Sequence, residues 1–324
     1  MMRFRTEIIP PAAPFAIDPE RPVVLLGSCF TDNIGARMRR CGIPAIVNPG
    51  GVLFNPISIC SRLNLALLSL RDGESMISVL RESILHRDDI VLSWLFDSSV
   101  AALDEEECLM RCKEAVDSLA SALQTASALL LTFGTSLAYC MKGRRDEVVT
   151  NCHKLPASTF ERRFLSMEEI VTAVGDVVRW LRTLNPTLNI IMTVSPVRHQ
   201  RDGMHLNTIS KANLLLALDH ICSEYDNCQY FPAYELLIDD LRDYRFYASD
   251  LVHPSEDAVE YIWDKFKETY FDEKGRKLIA EGESLRRRME HRPIIGESAE
   301  AYRFESSTQE LLARFRDAHP SMIF

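Results

Sequence analysis

Gly27-Ser28 closes the apolar run Val23 to Leu26, and Asp250-Leu251-Val252-His253-Pro254 stands far down the same chain. A serine just after a strand sits beside a helix N-terminus, whose free N–H groups can stabilise an oxyanion. An aspartate three residues before a histidine can orient Nδ1 of the imidazole. Nε2 is then free to take a proton from the serine, which is the logic of a Ser-His-Asp triad. Each half also has a plainer reading. Ser28 suits a helix cap, and Asp250 or Ser255 could cap a following helix. An early Gly-Ser combined with a late Asp-x-x-His-Pro points more firmly to acyl transfer. Cys29 is the rival nucleophile, since a thiol is intrinsically the better one. Neighbouring residues point in different directions, so Ser28 and Cys29 cannot both address His253.

Three imidazoles, His153, His199 and His205, fall in loops together with Cys152, which raises the question of a metal. Their spacing matches no compact ligand set, and Cys108-x3-Cys112 has the i,i+4 spacing of two packed thiols on a helix. No metal is expected. Lys154, Arg198 and Arg245 could welcome an acidic or carbonyl group, or pair with Asp202, Asp243 and neighbouring glutamates. Tyr230, Phe231, Tyr234, Tyr244, Phe246 and Tyr247 read mainly as core, with one or two free to stack on a sugar or line an acyl pocket.

The elements that must position these residues follow from periodicity. Short apolar runs at 23–26, 45–47, 128–133, 189–194 and 229–231 read as buried strands. Helical patterns span 31–41, 56–70, 104–125, 167–184, 210–225 and 233–241, and another opens at Pro254 and runs to about Tyr270. Residues 83–96 and the segment around Lys142-Gly143-Arg144-Arg145 read as hairpins. Alternating helices and strands buried on both faces predict an α/β fold with a largely parallel sheet. Active sites of such sheets lie at the carboxyl ends of the strands, where Ser28, Gly51, Gly134-Thr135 and Arg198-His199 all fall. The expected division is a main domain over 1–272 and a helical C-terminal extension with a mobile tail over 273–324.

Composition narrows the partners. With 37 Lys+Arg against 46 Asp+Glu the net charge is −9, and phosphate neutralisation needs clustered cations. The one cluster, Arg286-Arg287-Arg288, is surrounded by Glu281, Glu283 and Glu290. Nucleic acid is therefore not expected. No apolar run approaches the ~20 residues that span a bilayer, and the Met1-Met2-Arg3-Phe4 start followed by early prolines lacks a secretory pattern. Nine scattered cysteines suggest reduced thiols and a cytoplasmic location.

Gly27-Ser28-Cys29-Phe30, Asn151-Cys152-His153-Lys154-Leu155-Pro156 and Val194-Ser195-Pro196-Val197-Arg198-His199 occur in an order that resembles the GSCFA-domain family. That family is grouped with the SGNH/GDSL hydrolases, and the resemblance covers about residues 1–295. It implies a three-layer, flavodoxin-like α/β/α sandwich and a serine hydrolase-type site. By this resemblance Ser28 would be the nucleophile, His253 the base and then acid, and Asp250 the orienting carboxylate. Cys29 would then pack beneath the helix. The resemblance also implies an oxyanion hole, filled here by the Ser28 N–H, Gly51, Gly134, Thr135 and Asn151. Ser136 occupies the slot where such enzymes usually place an asparagine. His153, Lys154, Arg198 and His199 would contact substrate. The expected activity is hydrolysis of a small ester, such as an acetylated sugar, without a cofactor. A longer-chain thioesterase pocket of Leu53, Phe54 and Trp94 is the enzymatic rival, and a non-catalytic sugar or protein binder is the other.

Overall fold

The computed structural model describes residues 5–292 and 298–324. Met1 to Phe4 of the expected N-terminus, and residues 293–297 of the expected extension, lie outside the described residues. The chain builds a central sheet from β1 (Val23–Gly27), β2 (Ala45–Val47), β5 (Ala128–Phe133), β9 (Asn189–Val194) and β10 (Cys228–Tyr230). The order is β10-β9-β5-β1-β2, and every pairing is parallel. Connections run outward from β1 in both directions, so the order reverses between β1 and β5. Doubly wound sheets open a ligand crevice at that switch point.

Alternation along the strands separates two cores. Val24, Leu26, Leu129, Leu131, Ile190 and Met192 face one side. They pack under α2 (Pro56–Arg71), α4 (Glu105–Thr125), α5 (Met167–Leu184) and α6 (Met204–Glu224). Val23, Leu25, Leu130 and Ile191 face the other side, against α1 (Cys29–Arg40) and α8 (Glu256–Tyr270). Side chains that alternate with a period of two, buried both ways, give the three-layer α/β/α sandwich. Phe231, Trp263, Phe266 and Tyr270 are core aromatics on the second face.

Two insertions surround the carboxyl edge. The first carries α3 (Gly73–Glu82) and the antiparallel pair β3 (Ile84–Arg87) and β4 (Ile90–Ser93). The second is a three-stranded sheet ordered β7-β6-β8, from β6 (Leu137–Met141), β7 (Arg144–Val149) and β8 (Phe160–Phe164). After β10 come α7 (Ala233–Glu235), a π-turn over Leu236–Leu241 and the loop that holds Asp250.

The C-terminal extension is two helices, α9 (Glu273–Glu290) and α10 (Ala299–Ala318). α9 places Ile279 in the core beneath α1, and Gly282 lies so close to the Cys41 carbonyl that a Cβ would meet it at 2.1 Å. The expected tail packs down instead of trailing away: the Ile323 N–H donates to the Gly42 carbonyl at 2.7 Å, and Met322 is buried. No described helix is long and apolar enough to cross a membrane.

Candidate active site

The turn leaving β1 is stitched on three sides. Gly27 donates its N–H to Asn48 Oδ1 at 2.8 Å and accepts the Leu53 N–H at 2.9 Å. Ser28 then donates its N–H to the Thr132 carbonyl at 3.1 Å. Gly27 has φ +146°, and a Cβ there would lie 2.2 Å from the Thr132 oxygen, so only glycine lets β5 approach this closely. α1 begins at Cys29, two residues before the sequence pattern placed it, which makes Ser28 the N-cap and Cys29 the first helical residue.

That shift decides which side chain faces solvent. Ser28 is 2% exposed, and its Oγ is buried with no hydrogen-bond partner, not even the capping bond its position would allow. Cys29 is part-exposed and lines a cleft of about 610 Å³ at the carboxyl edge of the sheet. The same cleft is lined by Thr135, Asn151, Arg198, His199 and His253. The expected outward presentation of Ser28 is therefore corrected: the chain turns Cys29 to the cleft and buries Ser28 beneath it.

Above the cleft, His253 Nδ1 meets Asp250 Oδ2 at 2.6 Å. The other carboxylate oxygen accepts the N–H groups of Val252 and His253, each at 2.9 Å. These N–H groups, with the imidazole behind them, hold the Asp250 carboxyl down at about 2. It is ionised at any pH where the protein would work. Leu251 completes this tight loop at φ +58°, a left-handed conformation that costs a non-glycine residue about 1–2 kcal/mol. Ser255, not Asp250, caps α8 by accepting the Ala258 N–H. Nδ1 is thus committed to the carboxylate, and Nε2 is the nitrogen left for chemistry.

The expected oxyanion donors fare unequally. The Gly51 N–H is spent on the Asn48 carbonyl at 2.8 Å, and Gly51 packs against Asp97, away from the cleft lining. Gly134 and Thr135 both give their N–H groups to the Phe54 carbonyl, at 2.8 and 3.0 Å. With the Ser28 N–H also engaged, none of these four backbone donors is open in this conformation. Asn151 does line the cleft, and its Oδ1 accepts the His153 N–H at 2.8 Å, leaving its amide NH2 available. The N–H groups of Cys29 and Phe30, the first two of α1, turn toward the Cys29 sulfur.

Of the expected substrate contacts, Arg198 and His199 line the cleft, with the Phe54 ring edge-on to His199 at 6.1 Å. His153 does not. Its ring is buried and bonded through Nε2 to the Ser93 carbonyl at 2.8 Å, and it adopts φ +47° next to Lys154 at φ +57°. It braces the β4 end, while Lys154 points to solvent outside the cleft lining. Ser136 in the asparagine slot is buried against Ser210. Among the described residues, no group of three or more His, Cys, Asp or Glu side chains converges to hold a metal.

Sequence reasoning missed Lys211. Its ammonium is fully buried and donates to the Gly134 carbonyl at 2.7 Å and the Ser195 carbonyl at 2.6 Å, clamping the ends of β5 and β9 to α6. Burial pulls it down to about 7, although two carbonyl acceptors favour its charged form. Its charge reaches Cys29, whose thiol is pushed up by burial and by Asp32 and drawn down by the two α1 N–H groups and Lys211. Burial lowers His199. The available signal was helical spacing: Lys211 stands three and seven residues before Leu214 and Leu218, on the face that α6 buries.

An open α/β/α sandwich with its cleft at the switch point beside β1 and β5 is the class these features define. A profile of the GSCFA family matches residues 22–266, and the chain belongs to that family. No curated protein matches the chain. Among solved structures, a carbohydrate esterase family 3 protein from Talaromyces cellulolyticus is similar at 10% identity, covering 82% of this chain and 99% of that one. The TM-score is 0.31, too loose a superposition to bear on the chemistry of this chain.

Proposed function

We propose that this chain is an acyl hydrolase that cleaves a small carboxylic ester in the cleft at the carboxyl edge of its sheet. The observation that carries this reading is the 2.6 Å contact between His253 Nδ1 and Asp250 Oδ2 at the mouth of that cleft. An imidazole held in this way by an ionised carboxylate takes a proton at Nε2 from a nucleophile and returns it to the leaving oxygen. The attacking group comes from the start of α1, where the helix dipole favours negative charge. As the carbonyl becomes tetrahedral its oxygen needs donors, and the Asn151 amide and the first α1 N–H groups are the ones at hand.

Substrate size follows from the cleft. Apolar walls from Phe54, Leu137 and Val149 suit a short acyl chain, and Tyr139 and Arg198 at the rim suit a polar alcohol such as a sugar. The chemistry requires no cofactor. Hydrolysis of p-nitrophenyl acetate and of an acetylated sugar, each followed for native protein and for His253→Ala, tests the reading. The variant is expected to lose roughly 10²–10⁴-fold in kcat/KM while keeping the native unfolding temperature. Equal turnover by native and variant would overturn it.

A further inference from the structure

The turn after β1 offers two nucleophiles, and the fold treats them oppositely. Ser28 has no solvent and no partner at Oγ, and its N–H is tied to Thr132. A nucleophile of this kind must swing out of the core before it can meet a carbonyl carbon. Yet Gly27 and Ser28 are fixed by bonds to Asn48, Leu53 and Thr132. Cys29 needs no such movement. It lines the same cleft as His253, Thr135 and Asn151, and no backbone carbonyl among the described residues accepts its N–H. That N–H and the next one aim at the space around the sulfur, where an oxyanion would form.

Resting on the hydrolase reading above, we infer that the Cys29 thiol is the nucleophile and that the enzyme works through a thioester. His253 Nε2 takes the proton from the Cys29 sulfur as the C–S bond forms and the carbonyl pair moves to oxygen. Collapse of that tetrahedral species breaks the C–O bond, and the imidazolium gives its proton to the departing alcohol. Water then attacks the thioester with His253 as base, the C–S bond breaks, and the thiolate recovers the proton. No oxidant or metal enters the balance. The substrate class is therefore acyl esters and thioesters, whose carbonyl carbon a thiolate attacks to give the acyl-enzyme. Lys211 holds the carbonyls of Gly134 and Ser195 beneath this site.

The assignment is tested by acid-quenching full-length protein shortly after mixing with p-nitrophenyl acetate and locating the acetyl group by peptide mass spectrometry. Native protein and Ser28→Ala should both carry acetyl on Cys29, removable by neutral hydroxylamine, and folded Cys29→Ala and Cys29→Ser should carry none there. Acetyl on Ser28, or an adduct that survives in folded Cys29→Ala and vanishes in Ser28→Ala, overturns the thiol assignment. Alkylation by iodoacetamide, read peptide by peptide because Cys152 and Cys222 are also part-exposed, separates the two claims. Cys29 should react roughly tenfold more slowly in His253→Ala, as expected when a base no longer draws off the proton. Slowed alkylation without any acetyl transfer would sink the ester reading and leave Cys29 paired with His253. Equal alkylation rates would sink the pairing itself.

Discussion

At Ser28 a hydroxyl is buried 2% exposed with no partner, an arrangement that costs about 1–3 kcal/mol for a neutral polar group. Its backbone is ordinary, at φ −69° and ψ 174°, so alanine fits without strain. Ser28→Ala is therefore expected to unfold in urea at the same midpoint as native protein or a higher one, by up to about 2 kcal/mol. A clear loss of stability would mean that the hydroxyl makes a bond this conformation lacks. Cys29 differs by one position and by everything that matters for chemistry. It borders the cleft, it faces two N–H groups, and a buried ammonium lies close enough to affect its charge. Asp250 needs no tuning partner beyond its own loop. With its carboxyl at about 2, the acid limb of a pH–rate profile reports some other group.

Among the elements, those with unambiguous local signals were legible in full. β5 and β9 are apolar runs buried on both faces, and α5 starts on a Ser166/Glu169 capping box, so their limits match the sequence pattern. Where local signal faded, the pattern slipped. α1 opens at Cys29 because the Gly27 turn is set by contacts with β5, which no local periodicity records. With the helix starting there, Cys29 lines the cleft and Ser28 is buried. α6 begins at Met204, six residues before the pattern did, because Met204, Leu206 and Ile209 are exposed and break the apolar period. The late start also placed Lys211 in the first turn, although it lies two turns into α6. The Asp250–His253 pairing was legible, since three residues and a tight loop suffice for it.

Lys211 joins α6 to the ends of β5 and β9, and its titration is a property of that junction. Burial lowers it from 10.5 to about 7 in the folded chain. Between those values the unfolded chain holds a proton that the folded chain has released, so raising the pH favours folding. Below about 7 both states are protonated and the buried ammonium weighs fully against the fold. His199, Arg198, Cys29 and Tyr234 are the charged, titratable or aromatic groups that face it. Thermal unfolding of native protein from pH 7 to 10 should show a gain in stability that Lys211→Met does not share. Parallel curves for the two proteins would show that the ammonium keeps its proton throughout.

On the scale of the whole molecule, α1 is held from both sides. The sheet and α8 pack on one face, while α9 lies against its C-terminal end, and the Phe324 ring would meet a Cβ at Gly42 at 2.0 Å. A helix anchored along its length can present Cys29 at a fixed height over the sheet edge. In a molecule of net charge −9 the cleft lining is mixed in sign, with Arg198 and Arg201 beside Asp202.

Acyl transfer through a covalent intermediate, driven by His253, is the central claim. Stopped-flow mixing of native protein with excess p-nitrophenyl acetate tests it most directly. A burst of nitrophenolate equivalent to the enzyme, followed by slower turnover, is the predicted result, and it should disappear in His253→Ala. A linear trace without a burst, at the same rate in protein and in His253→Ala, would contradict the account.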